Sequence, residues 1–237
     1  MNTSDEGLII YTKNIKEKNL YIKILTQKNG LCTGIVYGGK SKKNNSIYQV
    51  GNFINFNLLK KNENLPPSIS GDIISPLSSF IYDDKYKLYL ILSCCSIFNS
   101  TIKENQIYTD IYIETKKLIS NLSKKKWFYE FSNWILIYLS EIGYGIEISK
   151  INQKKRFINI DNLTIFDLNE FSNLKNNDYI EFPFELIVNK TINYKQCNLL
   201  FNFFECILLK HIYNNSKYNI PNMYFDFKTI VLQRLDN

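Results

Sequence analysis

The chain has 237 residues and a formal net charge of +7, with 45% hydrophobic and 15% aromatic residues. That length and apolar share describe a folded protein with room for two domains, and they exclude a disordered or low-complexity chain. With 27 lysines against two arginines, its positive charge meets anions as point charges rather than bidentate forks.

The charge is uneven. Residues 1–80 hold ten lysines and five acids, whereas residues 81–237 hold nineteen bases and seventeen acids. A basic N-terminal third on a near-neutral body points to a local anion-binding surface. Five cysteines (Cys32, Cys94, Cys95, Cys197, Cys206) form no C-x-x-C pair, and His211 is the single histidine. This set argues against a four-ligand zinc site, and with no secretory signal it points to a reducing cytoplasm. The longest apolar runs, Leu88–Cys95 and Trp134–Leu139, fall far short of the roughly 20 residues of a membrane span.

In chain order, Leu8-Ile9-Ile10-Tyr11 reads as a strand, followed by a polar region over 14–19. Leu20–Thr26 alternates, with Leu20, Ile22 and Ile24 on one face and Lys23 on the other. Lys28-Asn29-Gly30 is a hairpin signal because Asn and Gly tolerate positive φ. Leu31–Tyr37 follows as a third strand, Asn52–Lys61 as a fourth, and Ser68–Ile74 as a fifth after Pro66-Pro67. Five short strands in about seventy-five residues predict a small closed barrel.

Past Pro76 the period becomes helical. Asp83-Asp84 can cap a helix running to about Phe98. Further helices are predicted over Glu104–Leu122, from Lys126 to Ile142 with a stop at Gly143-Tyr144-Gly145, over Tyr194–Tyr213, and over Met223–Leu235. Residues 157–189 carry six acids and one lysine with weak periodicity, which predicts an irregular or small β-rich excursion.

Gly34 to Ser41 satisfies the phosphate-loop pattern G-x-x-x-x-G-K-[ST]. A functional phosphate loop follows a buried strand and opens a helix at its Lys-Ser. Here Ile35-Val36-Tyr37 reads as strand, and Lys42-Lys43-Asn44-Asn45-Ser46 starts a helix poorly. The same loop reads more simply as a strand-end turn offering Lys40, Lys42 and Lys43 to a polyanion. Lys23 on a polar strand face and Lys60-Lys61 at the end of the fourth strand add to that surface. Tyr37 and Tyr48 flank the loop, where each ring either stacks on a base or fills the barrel. His211 and the adjacent Cys94-Cys95 lie on apolar helices and offer no catalytic constellation.

A family resemblance rests on Asp5–Ile10, Leu20–Thr26 and Gly30 through Gly34-Ile35-Val36-Tyr37-Gly38-Gly39-Lys40-Ser41-Lys42-Lys43 to Gln49–Asn52. It is carried further by Phe131–Ile148 with its Gly143-Tyr144-Gly145 ending, and more loosely by Cys197–His211. These stretches resemble the bacterial recombination mediator family RecO. The resemblance implies an α+β protein. Residues 1–78 would form a five-stranded oligonucleotide-binding (OB) barrel, and residues 79–237 an all-helical domain. The family's four-cysteine zinc module would be reduced to a degenerate, zinc-free insertion over 149–190.

It further implies a non-enzymatic protein, without cofactor or metal, that binds single- and double-stranded DNA and anneals complementary strands. Its partners would be RecR, the C-terminal tail of single-strand-binding protein and, indirectly, RecA. Its place would be the cytoplasm, at the nucleoid, with no membrane contact. The family's basic positions map to Lys40, Lys42 and Lys43, and the tail site is expected on the helical domain, with Lys124–Trp127 as its candidate. Two rivals stand beside this reading: a phosphate-loop nucleotide-binding enzyme, and a protein-interaction adaptor whose DNA contact is incidental.

Overall fold

The computed structural model describes residues 2–16, 18–62, 65–76, 84–104, 106–122, 127–152, 154–167, 179–214 and 219–236. Within these the chain forms two compact units, Met1–Ile119 and Ser120–Asn237. The boundary expected at 78/79 therefore lies inside the first unit.

In the first unit, β1 (Asn2–Ile15), β2 (Asn19–Thr26), β3 (Leu31–Val36), β4 (Phe53–Leu59) and β5 (Ser68–Ser75) close into a barrel in the order β1-β2-β3-β5-β4. This is the expected five-stranded OB-type barrel. β1 runs further than its apolar segment suggested, because its two halves serve different neighbours. Asn2–Leu8 pairs with β4 and Gly7–Ile15 pairs with β2. A bulge between Ile9 and Tyr11 breaks the alternation, so Leu8, Ile9 and Ile10 are all buried in sequence. Ile9, Ile22, Ile24, Ile54, Phe56 and Ile69 fill the barrel. The closing seam is slight: β3 and β5 share one parallel bridge, Ile35 to Ser68, beside the Ile35 N–H donating to Pro67 O at 2.8 Å.

Two helices complete this unit, α1 (Lys85–Thr101) and α2 (Thr109–Ser120). Leu90, Ile91, Cys94 and Cys95 of α1 line an apolar seam with Leu8 of β1 and Leu118 and Ile119 of α2. The vicinal cysteines act there as small hydrophobes. The cap expected from Asp83-Asp84 is only partly realised. Asp83 lies outside the described residues; the Asp84 side chain makes no capping bond and instead meets Lys87 Nζ at 2.9 Å. Glu6 of β1 ties the barrel to α2, accepting from Tyr112 Oη at 2.8 Å and from Lys116 Nζ at 2.5 Å.

The second unit holds α3 (Trp127–Glu141), a short three-stranded sheet of order β7-β6-β8, and α4 to α6. The strands are β6 (Phe157–Asn159), β7 (Ile165–Phe166) and β8 (Tyr179–Glu181). The helices are α4 (Phe184–Ile187), α5 (Tyr194–Ile207) and α6 (Asn222–Asp236), with α5 continuing as a wider π turn over Leu208–Ile212. The aromatics of α3 are core: Phe131, Trp134 and Tyr138 stack in series at 5.8 and 5.3 Å and meet Phe201, Phe204 and Phe227. Gly143 takes φ +94°, which lets the chain turn so that the Tyr144 N–H reaches Leu139 O at 2.7 Å. His211 is structural, its ring 4.8 Å from Tyr144 and its Nε2 at 2.6 Å from Ile160 O, where it donates.

The small sheet occupies the predicted β-rich excursion, and two asparagines shape its turns. Asn152 Oδ1 accepts from the N–H groups of Lys154 and Lys155; Asn159 Oδ1 accepts from those of Asp161 and Asn162. Residues 149–190 contain neither cysteine nor histidine. Among the described residues no group of three His, Cys, Asp or Glu side chains is placed to hold a metal. The donor set therefore does not fit a zinc ion of the usual kind. No helix among the described residues is long and apolar enough to cross a membrane.

Candidate nucleic-acid interface

The basic loop that leaves β3 is built rather than slack. Gly38 takes φ +66°, a conformation L side chains rarely adopt, and its N–H donates to Asn19 Oδ1 at 3.0 Å. The Lys40 N–H donates to Lys18 O at 3.0 Å, so the loop is laced to the β1–β2 turn. Asn44 Nδ2 donates to Gly38 O, closing the loop on itself. At its far end buried Asn52 donates from Nδ2 to Ser46 O and Ile47 O, at 2.9 and 3.0 Å. Turns fill 37–50, and no helix opens at Lys40-Ser41. Gly34 sits within β3, opposite Ile22. The segment thus lacks the strand–loop–helix order that a phosphate loop requires.

The exposed side chains of Lys40, Lys42 and Lys43 project from this framework. The lacing adds two lysines that pattern-reading passed over, Lys16 and Lys18, both exposed in the β1–β2 turn. That turn had read as merely polar, and only the bond from Lys40 to Lys18 shows that it adjoins the loop. Lys60 and Lys61 are exposed beyond the end of β4. Leu59 pairs with Ser68, which bridges to Ile35, so β5 stands between these two lysines and β3. Lys23 lies in the middle of the β2 outer face, its Nζ 5.6 Å from the Tyr11 ring centre.

The two tyrosines part company. Tyr37 is 65% exposed at the mouth of the loop. Tyr48 is 6% exposed, and its ring belongs to the barrel core. Its hydroxyl accepts from the Gly71 N–H at 2.9 Å and donates to Gly71 O at 3.1 Å. Burial, first of all, raises its pKa and keeps the hydroxyl protonated. The expectation that Tyr48 stacks on a base is therefore corrected: its faces are spent on packing and its hydroxyl on the β5 backbone.

The outer face of β1–β2–β3 was also missed as a unit. Register places Lys13 opposite Tyr21 and Tyr11 opposite Lys23, then Tyr21 opposite Ile35 and Lys23 opposite Thr33. The rings of Tyr11 and Tyr21 meet edge to face, with centres 6.5 Å apart and planes at 69°. The available signal was a repeated Tyr-x-Lys at 11–13 and 21–23, but only strand register shows that the two copies interlock.

Lys124, Lys125 and Lys126, offered for a peptide-tail site, lie outside the described residues. Trp127, next to them, has its ring 5.5 Å from Phe128 and 6.3 Å from Phe227.

Residues 1–76 match the sequence family described as "Recombination protein O N terminal". Curated relatives include proteins named "DNA repair protein RecO" from Rickettsia canadensis (strain McKiel) and Rickettsia peacockii (strain Rustic), each 30% identical over 150 residues. The matched stretch is 63% of this chain and 62% and 63% of those two proteins, so it spans less than two thirds of either relative.

Proposed function

On the premise that the chain belongs to the RecO family, we propose that it is a DNA-binding recombination mediator. It binds single-stranded DNA and anneals complementary strands. With RecR it helps load RecA onto DNA coated by single-strand-binding protein, in the repair of gaps and double-strand breaks. It performs no bond cleavage and uses no cofactor. Its working place is the cytoplasm, on the nucleoid.

The observation that carries this reading is the gathering of Lys16 and Lys18 with Lys40, Lys42 and Lys43 at one end of an oligonucleotide-binding barrel. Such a surface neutralises phosphates and releases counterions, which supplies affinity without sequence preference. Annealing follows from the same physics. Screening the charge of two strands lowers their mutual repulsion, while lysines hold each strand loosely enough to shift register. RecR and the acidic tail of single-strand-binding protein would bring the mediator to its substrate. The phosphate-loop rival loses ground because Gly34 is strand and no helix opens at Lys40.

The test is annealing of complementary oligonucleotides coated with cognate single-strand-binding protein, with and without that protein's terminal tail. Faster annealing that depends on the tail is expected. No acceleration on either naked or coated strands, or ATP turnover abolished by Lys40→Ala, would sink the proposal.

A further inference from the structure

The outer face of the barrel carries three tyrosines on a diagonal. By register, β1 contributes Tyr11 and Lys13, β2 contributes Lys23, Tyr21 and Asn19, and β3 contributes Thr33 and Ile35, with Tyr37 just past its end. Moving from Tyr11 to Tyr21 crosses one strand and climbs one row. Moving from Tyr21 to Tyr37 does the same again, because Leu20 pairs with Val36 and the next N–H, that of Gly38, donates to Asn19 Oδ1. Diagonal neighbours on a sheet lie about 7–8 Å apart, within reach of aromatic rings. The 6.5 Å between the Tyr11 and Tyr21 rings agrees. The diagonal ends at the basic loop.

We propose that Tyr11, Tyr21 and Tyr37 form a base-stacking ladder that makes the protein select unpaired over paired DNA. This rests on the DNA-binding reading above and adds the residues that set its preference among DNA forms. Two features support it. First, the 6.5 Å step between the Tyr11 and Tyr21 rings is about twice the 3.4 Å rise of a duplex strand, which suits an extended strand and not a stacked one. Second, the first two ring planes stand at 69° to each other. Bases laid on them are turned out of parallel, which a single strand permits and a duplex, with its bases stacked, does not. The cross-strand lysines accompany the rings: Lys13 faces Tyr21, and Lys23 faces Tyr11 with its ammonium over the ring, 5.6 Å from its centre. An arriving base takes the ring, and the flexible lysine turns to the phosphate. Stacking is thus separated from charge, and the two are measured by different quantities.

The experiment titrates a thymidine oligomer and a mixed-sequence duplex of equal length with the full chain, across a salt series. Variants are Tyr11→Leu, Tyr21→Leu, Tyr37→Leu and the matching Tyr→Phe changes. Each Leu variant is expected to weaken single-strand binding about five- to tenfold, with duplex binding and the log–log salt slope unchanged. The Phe variants, which keep a ring, should bind as wild type. Tyr37, being mostly exposed, carries the test should either half-buried position fail to fold. Equal losses on both DNA forms, a reduced slope, or Leu variants that match wild type would overturn the ladder while leaving DNA binding intact. Wild-type protein that bound neither form would remove the DNA-binding reading itself.

Discussion

Replacing Lys40, Lys42 and Lys43 together with glutamine isolates the electrostatic share of the proposed DNA binding. Glutamine keeps a polar stem and removes the charge. The framework does not depend on the lysine side chains: the Lys40 backbone reaches Lys18 O, while Asn19, Asn44 and Asn52 supply the loop's side-chain bonds. No ion pair joins these three lysines to an acid among the described residues. The substitution therefore strands no carboxylate among the described residues. If each lysine meets one phosphate, the log–log salt slope for a single strand falls by about 0.7 per contact, or about 2 for the three. Curves that meet near 1 M salt then separate by about a hundredfold at 0.1 M. Fluorescence anisotropy of a labelled oligonucleotide at five or more salt concentrations, on variants with unchanged thermal unfolding, gives the slope directly. An unchanged slope would refute the placement of the phosphate path over this loop, even if affinity fell.

Tyr48→Phe keeps the ring but strips both bonds to Gly71, so urea unfolding should show a loss of about 1–3 kcal/mol from the unpaired peptide groups; an unchanged midpoint would deny the clamp. The Glu6 carboxyl is held below its ordinary range chiefly by Lys116 and further by the Tyr112 hydroxyl, against an opposing effect of burial. A depressed folded value means that this stabilisation is present above the unfolded value, near 4.5, and is lost as pH drops through the folded one. Glu6→Gln should therefore be less stable than wild type at neutral pH and converge with it in acid, and a constant difference in urea midpoint across that range would contradict this. Burial pushes the thiols of Cys95 and Cys197 up to about 12, and that of Cys94 well above its usual value. Iodoacetamide should accordingly label native protein at half-buried Cys32 and Cys206 first, reaching the other three only on unfolding.

Much of the barrel is legible because each strand states its own alternation: Leu20, Ile22 and Ile24 point inward whatever their neighbours do. The long helices are legible for the same reason, α3 by its aromatic spacing and its glycine stop. What the pattern does not hold is information about pairs. Leu8-Ile9-Ile10 looks like any apolar run, and its bulge exists only relative to Ile24 and Lys23 across the ladder. The three strands of the small sheet are two or three residues long, too short for a period. The candidate site divides along the same line. Lys40, Lys42 and Lys43 could be found because glycines announce a turn. Lys16 and Lys18 join them only through the backbone bond from Lys40 to Lys18, and Tyr11 and Tyr21 only through register. The sequence leaves both readings of Tyr48 open because it follows Asn44-Asn45-Ser46, a polar stretch, although the backbone there turns back onto the barrel.

That reversal of Tyr48 changes how the site works. The barrel closes between β3 and β5 through a single bridge, and the basic loop begins two residues beyond it. A loop hung on so small a seam would swing, and each lysine would surrender conformational freedom on meeting a phosphate. Tyr48 reaches past the bridge to hold Gly71 of β5 by both its peptide groups, while Asn52 holds the carbonyls just before Tyr48. The seam and the far end of the loop are thereby fixed by adjoining contacts. The lysines then keep their freedom at the side chain alone, which suits the proposed contact with a phosphate backbone held without sequence preference. From inside the barrel the Tyr48 ring would serve a bound strand by keeping still the loop proposed to meet it.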